Sequence, residues 1–310
     1  MSNHLTLGTR GSALALCQAE MTEAALAGHC DLTRQVIVTT GDKRTDVPLA
    51  AVAAASGIVD KGVFIKELEV ALLDGVIDFA VHSLKDVPTI LEPEFEVCAV
   101  LPRAPTGDVL ITRGPSLDEL APGATIGTSS VRRKLQLLHL RPDLKVIDIR
   151  GNVPTRLQKV VDQPELDGTI LAEAGLVRLG YNTAGILTTE NGDALAAHLL
   201  DSDEFLPAAG QGAVAMEILK SNDRARQTLA AINHEETMIR ITAERHFLAL
   251  LQAGCDTPVG VDSKVIADQL HLTARVFSED PANNSHQAAT AVGPVTSPES
   301  TAKELFEALK

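Results

Sequence analysis

Four stretches of the chain set a strand end, a tight turn and one or more cations side by side. They are Gly8-Thr9-Arg10-Gly11-Ser12, His82-Ser83-Leu84-Lys85-Asp86, Gly127-Thr128-Ser129-Ser130-Val131-Arg132-Arg133 and Arg150-Gly151-Asn152-Val153-Pro154-Thr155-Arg156. Arginine offers a planar fork that holds a carboxylate or phosphate through two parallel hydrogen bonds, which lysine does not. Free backbone N–H groups at a helix start add further donors for an anion. The chain as a whole carries a formal net charge of -14, so most of its surface repels anions. Against that background Arg10, Arg132, Arg133, Arg150 and Arg156 outline a cleft for a small polycarboxylate or phosphate. A single arginine in a helix first turn is ordinarily a surface residue that the helix dipole disfavours. Five of them beyond strand ends, where open α/β sheets place their ligands, point to a binding site.

Asp86 follows Lys85 and precedes Val87-Pro88. A carboxylate at that point holds a cationic intermediate, shuttles a proton, or simply forms the turn and pairs with a neighbouring cation. His82 reads as a packed strand-end residue. Cys255 is the only cysteine in an obvious loop, flanked by Gly254 and Asp256; a generic thiol there is inert. Gly210-Gln211-Gly212 is too short for a dinucleotide loop, and no phosphate-binding GxxxxGK[ST], zinc site or nucleophile elbow is present.

Alternating strands and helices must position these residues. The pattern predicts strands over Leu5–Thr9, Gln35–Thr40, Ile77–His82, Thr125–Gly127, Lys145–Ile149 and Thr169–Ala172. It predicts helices from Ser12 to Leu26, over Phe64–Leu73, from Ser129 or Ser130 to Leu140, and over Val153–Val161 with Pro154 in the first turn. Such alternation makes a mostly parallel sheet covered by helices on both faces. Pro102–Gly107 and Leu206–Gly212 read as the outward and return crossings between two α/β lobes. After His234 the character changes to a long helix, Glu235–Gln252, then the cysteine loop. A hairpin of Leu270–Phe277 with Gln287–Val292 follows, and then a last helix, Ala302–Leu309, capped by Ser300. The expected domains are 1–101 with 208–230, 107–203, and 235–310.

With 310 residues and 45% hydrophobic but only 3% aromatic residues, the core rests on Ala, Leu, Val and Ile. The acidic balance disfavours nucleic acid and anionic membrane as partners, and no window reaches the roughly 18 apolar residues of a membrane span. Met1-Ser2-Asn3-His4 runs into a strand without the regions of a signal peptide. Cys17, Cys30, Cys98 and Cys255 lack metal-ligand spacing. Both features read as a cytoplasmic chain with reduced thiols and no metal.

Ordered blocks along nearly the whole chain resemble the porphobilinogen deaminase family. They are LGTRGSALAL at Leu7–Leu16, KGVFIKELEVALL at Lys61–Leu73, HSLKDVPT at His82–Thr89, IGTSSVRRK at Ile126–Lys134, RGNVPTRL at Arg150–Leu157, LPAAGQGA at Leu206–Ala213, HEET at His234–Thr237 and AERHFLALLQAGCDTPVG at Ala243–Gly260. The resemblance implies two lobes like those of periplasmic binding proteins and a small α+β third domain with an antiparallel sheet. It implies a monomeric enzyme of heme and tetrapyrrole synthesis that joins four porphobilinogen molecules head to tail into hydroxymethylbilane, releasing ammonia. It also implies a dipyrromethane cofactor held by a thioether to Cys255. Asp86 matches the catalytic position, and Ser83, Lys85, Thr128, Ser129, Arg132, Arg133 and Arg156 match cofactor positions, with Thr128 also beside the growing chain. Arg10, Ser12, Arg150 and Arg178 match positions that hold substrate or growing chain, and Lys61 and Phe64 lie in the segment that covers the cleft. Porphobilinogen carries an acetate and a propionate, so every added ring brings two carboxylates to be met by cations. Of the family's Arg-x-Asp-Pro-Arg-Asp-Ala run between the lobes, this chain keeps only the first Arg, Arg103, and the last Asp, Asp108. The segment Ala50–Asp60 is longer and less basic than usual, and Cys17 replaces a usual Trp.

Overall fold

The computed structural model describes residues 4–39, 65–253, 257–278 and 285–310. Its first sheet runs β2-β1-β3-β11-β4. The strands are β1 (His4–Arg10), β2 (Asp31–Ile37), β3 (Phe79–Ser83), β4 (Phe95–Val100) and β11 (Val214–Leu219). The second sheet runs β7-β6-β8-β5-β10-β9. Its strands are β5 (Asp108–Thr112), β6 (Thr125–Gly127), β7 (Lys145–Ile147), β8 (Gly168–Ala172), β9 (Gly185–Thr188) and β10 (Ala194–Leu199). Each sheet forms a lobe with its own aliphatic core. Leu5, Leu7, Phe79, Val214 and Met216 lie at the heart of the first, and Val109, Ile111, Leu157, Val160 and Leu171 in the second.

The sheets are less parallel than the alternation predicts. β1 pairs parallel with β2 and β3, and β6 with β7 and β8, but β11 and β5 run antiparallel to their neighbours. The reason is the route of the chain. β3 and β8 end at the gap between the lobes. β5 and β11 begin there, straight after crossing, so Asp108 pairs with Ala172 and Val214 with Ser83. Parallel strand ends and crossing segments are thereby brought to one place, and the candidate residues sit on those ends.

Local signals account for the helices that carry the site. Ser12 caps α1 (Ala13–Leu26) by accepting the N–H of Ala15. The helix α2 (Lys66–Leu73) buries Leu68, Ala71 and Leu72 on one face. Ser130, not Ser129, caps α3 (Val131–Leu140), and Asn152 caps α4 (Val153–Asp162), whose Pro154 needs no N–H donor in the first turn. Gly151, at φ +119, takes a conformation that side chains avoid, and a Cβ there would lie 2.6 Å from Thr155. The short α5 (Glu173–Arg178) follows β8.

The C-terminal part packs α7 (Glu235–Leu250) and α8 (Pro298–Ala308) on an antiparallel sheet of β12 (Val259–Ile266), β13 (Gln269–Phe277) and β14 (His286–Pro294); α6 (Asp223–Leu229) precedes it. The predicted hairpin is present, and β12 adds an edge strand that was not predicted. The last helix starts upstream of Ser300, at Pro298, whose fixed φ and missing N–H suit the first helical position. Gln252, with φ +52, ends the turn that closes α7.

Arg103 and Asp108, the retained ends of the interlobe run, anchor both crossings. Arg103 donates to Glu244 of α7 at 2.6 and 2.9 Å and to the carbonyl of Gln211 at 2.9 Å. Glu244, wholly buried, also accepts the N–H of Gly210 at 2.7 Å and the Ser263 hydroxyl. Gly212 (φ +85) lets the two crossings touch, since a Cβ there would meet the Ala104 carbonyl at 2.4 Å. One carboxylate of the C-terminal part thus holds both interlobe segments.

Candidate functional site

The strand ends converge on a cleft whose first-lobe wall includes Arg10, Ser12, Gln18, His82, Ser83 and Asp86 around one pocket. Ser83 exchanges hydrogen bonds with Gln18 at 2.7 and 3.1 Å. Leu84 to Asp86 form a single 3-10 turn, and the Leu84 N–H reaches the carbonyl of Ala213 in the return crossing. Among the described residues the Asp86 side chain has no hydrogen-bond partner. It lies close enough to Lys85 and Arg156 to raise the proton affinity of both.

Lys85 points toward Gln211, at 3.5 Å. Burial, and then the guanidinium of Arg133, lower it to about 8 against the opposing pull of Asp86 and Asp108. Arg156, tied through Nε to the carbonyl of Gly151 at 2.8 Å, is lowered to about 10 by burial and by Arg133 and Arg150. Burial is the larger cause of this shift, and the neighbouring guanidiniums of Arg133 and Arg150 add to it.

Two more donors stand unused. Nη1 of Arg150 and Nε of Arg178 are buried and have no hydrogen-bond partner among the described residues. Arg178 otherwise donates to the Gly212 carbonyl at 2.7 Å, while its own carbonyl accepts from Cys17. A buried unpaired donor is costly in a folded protein, and an incoming carboxylate satisfies it.

Arg132 and Arg133 differ from the sequence expectation of freely presented guanidiniums. Both are buried on Asp108, itself wholly buried. Arg132 reaches Oδ2 at 2.8 Å, and Arg133 reaches Oδ1 at 2.6 and 3.1 Å. They also donate to the carbonyls of Leu206 and Ile170. Burial raises the Asp108 pKa, but the two guanidiniums outweigh it and hold the carboxyl well below the usual range. Two cations on one carboxylate leave one net positive charge beside Lys85 and Arg156. The pair therefore contributes field to the cleft and welds β5 to α3. Gln211 joins this group, donating to Asp108, Thr106 and Gly107.

Thr128 and Ser129 lie at the end of β6. The hydroxyl of Thr128 accepts the N–H of Ser130 at 3.2 Å, and that of Ser129 bonds the backbone of Ile149 in both directions. The structure thus brings Arg10, Ser12, Ser83 and Asp86 around one pocket. It sets Lys85, Arg132, Arg133, Arg150 and Arg156 within electrostatic reach of one another, and places Thr128 and Ser129 at the end of β6 and Arg178 on the return crossing. Cys255, Lys61, Phe64 and the segment 50–60 lie outside the described residues. Sequence reasoning missed Gln18, Gln211 and Glu244. The only sequence signal for Gln211 was a polar residue set between two glycines in a crossing segment.

The arrangement suits a ligand with several carboxylates and a cationic centre. The orphan donors of Arg150 and Arg178, and Arg156 among its neighbouring cations, are open to carboxylates. Among the described residues no helix is long and apolar enough to cross a membrane.

Comparison with known proteins agrees with this chemistry. Residues 5–227 match the family model described as porphobilinogen deaminase, dipyromethane cofactor binding domain, and residues 238–310 match porphobilinogen deaminase, C-terminal domain. The porphobilinogen deaminase of Nitrobacter hamburgensis is 45% identical over 281 residues, covering 89% of this chain and 83% of the relative. That of Nitratidesulfovibrio vulgaris strain DP4 is 45% identical over 86% of this chain and 80% of its own. That of Syntrophotalea carbinolica is 40% identical over 99% and 93%. With both family models matched and relatives aligned over most of its length, the chain belongs to the porphobilinogen deaminase family, enzymes of tetrapyrrole synthesis that use a dipyrromethane cofactor.

Proposed function

We propose that this chain is a cytoplasmic, monomeric transferase that joins four porphobilinogen molecules head to tail, and that Asp86 is its catalytic residue. The observation that carries this reading is a carboxylate without a hydrogen-bond partner among the described residues, set amid cations whose own acceptors run short. In each step the carbon–nitrogen bond of the substrate's aminomethyl group breaks and ammonia leaves. A carbon–carbon bond then forms to the free α-carbon of the preceding ring, which loses its proton. Positive charge on the pyrrole nitrogen and the departing proton both call for a carboxylate, the task assigned to Asp86.

The dipyrromethane, when bound through Cys255, supplies the free pyrrole carbon that receives the first substrate. Ser83, Lys85, Thr128, Ser129 and Arg156 are assigned to hold its carboxylates and pyrroles, with Arg132 and Arg133 setting the positive field behind them. Arg10, Ser12, Arg150 and Arg178 are assigned to the substrate and the lengthening chain, and Lys61 and Phe64 to the cover of the cleft. Substrate carboxylates reaching Arg150 and Arg178 satisfy donors that are otherwise orphaned, so binding and positioning come from one contact. The two lobes (1–101 with 208–230, and 107–203) and the C-terminal domain (235–310) are the units expected to move relative to one another. No role is assigned to nucleic acid, membrane or metal.

The test is the intact mass of the purified chain beside a Cys255→Ala variant, followed by assay with porphobilinogen. A mass excess of two linked pyrroles in the unsubstituted chain alone, with turnover, is the expected result. A chain that gains no mass after ample porphobilinogen supply would instead be a binder of small anions on the same scaffold.

A further inference from the structure

Behind the end of β3 lies a buried titratable group that this reaction scheme does not use. His82, only 5% exposed, immediately precedes Ser83 and lines the same pocket as Asp86. Its Nε2 is 2.9 Å from Oε2 of Glu217, which is wholly buried in β11. The register sets Ala215 opposite His82 and Glu217 opposite Ala80, so the two side chains are diagonal neighbours on one face of the sheet. An ionised Glu217 can only accept, in which case the hydrogen lies on Nε2 of His82 and the contact orients the ring. The other oxygen of Glu217 is buried with no hydrogen-bond partner among the described residues.

Charged side chains from two further elements face this carboxylate. Glu69 of α2 is raised to about 7 by burial and then by Glu217 and Glu92, against His82 and Lys66. Arg245 of α7 feels the charge of Glu217 and donates to the carbonyls of Val87, Pro88 and Thr89 at 3.3, 2.7 and 3.0 Å. The run from His82 to Thr89, with Asp86 inside it, is thus tied at its start to Glu217. At its end it is tied to a guanidinium that senses the same carboxylate.

A buried carboxylate with a single hydrogen bond is an expensive way to fill space, and an apolar pair of similar volume would pack β3 on β11 at lower cost. We infer that Glu217 is a positioning residue for the reaction: through His82 it fixes the strand end that presents Ser83, Lys85 and Asp86 to the cleft. This rests on the reading of the cleft given above. As pH rises through about 7, Glu69 ionises and adds negative charge within electrostatic reach of Glu217 and His82. The hold on the strand end changes in that range, and kcat changes with it.

The experiment compares the cofactor-loaded chain with Glu217→Gln and Glu69→Gln, measuring intact mass, and kcat and KM for porphobilinogen from about pH 6 to 9. Glu217→Gln keeps size and an acceptor while removing charge. It is expected to load cofactor, hold KM within about twofold and lose about tenfold or more in kcat. Glu69→Gln is expected to lose the inflection near neutrality. A loaded Glu217→Gln variant with the parent's kcat and pH profile overturns the proposal. Should that variant fail to fold or load, Glu69→Gln decides: a lost inflection supports the proposal, and a profile like the parent's overturns it. Absence of cofactor and turnover in the unsubstituted chain overturns the reading of the cleft and this proposal with it.

Discussion

The hinge and the cleft are neighbours, yet they treat polar groups in opposite ways. In the hinge, Glu244 accepts from Arg103, Gly210 and Ser263, and Asp108 accepts from Arg132, Arg133 and Gln211. In the cleft, Asp86 has no hydrogen-bond partner among the described residues, and Arg150 and Arg178 each keep a buried donor unpaired. Saturated networks hold a structure in place, because each group's desolvation is compensated within the fold. Unsaturated ones leave that compensation to a ligand. Two aspartates at comparable positions beside the crossings are therefore placed differently, Asp108 as a cornerstone and Asp86 as the group proposed to act on the substrate.

The sharpest way to break this contrast is Asp86→Ala. Removing a carboxylate that makes no hydrogen bond among the described residues is expected to lower the melting temperature only slightly, through the charge it lends Lys85 and Arg156. It is expected to lower kcat by about a thousandfold, within the usual range for a positioned acid or base. Steady-state assay beside thermal unfolding reads both quantities. A stable variant with near-normal turnover would strip Asp86 of its role. Glu244→Ala should do the reverse. It strands the Arg103 guanidinium in a buried setting and is expected to cost about 3–5 kcal/mol of stability by denaturant unfolding. A loss below about 1 kcal/mol would mean that the hinge is not held by this network.

How much of this was legible in the sequence follows the same division. The strand ends and their turns were legible because the signals are local: Ser12, Ser130 and Asn152 are helix caps, and Gly151 and Pro154 fit the turn and first helical position. What escaped is long-range. Arg132 and Arg133 read as free ligands because nothing within a few residues shows Asp108 beneath them, and only the antiparallel entry of β5 brings it there. Glu244 looked like one polar position on a long helix, and its partner Arg103 lies 141 residues away. Strand direction was misjudged for the same reason, since a crossing between lobes reverses the next strand without marking its residues.

Arg150→Ala sharpens the comparison from the cleft side. The variant removes a cation assigned to the substrate and also a buried donor that is unpaired among the described residues. Turnover is expected to fall about tenfold to a hundredfold. In a cofactor-free Cys255→Ala background, stability should hold steady or rise slightly, because an orphan's desolvation cost is relieved. A clear loss of stability in that background would place Arg150 among the structural arginines with Arg133.

The smallest effect belongs to Lys85, whose folded-state pKa is lowered to about 8 by burial and then by Arg133. Below that value both the folded and unfolded chains carry the proton. Between about 8 and the ordinary lysine value of roughly 10.4, the unfolded chain binds more protons than the folded one. Stability of the cofactor-free protein should therefore rise with pH across that window, and Lys85→Met should flatten the rise. Loading the cofactor brings carboxylates to the cleft, which favour the charged ammonium and lift its pKa again. The same pH series on the loaded chain should then show a weaker rise. An identical slope in both forms would mean that the cofactor's carboxylates do not reach Lys85, and its part in holding them would pass to Arg156.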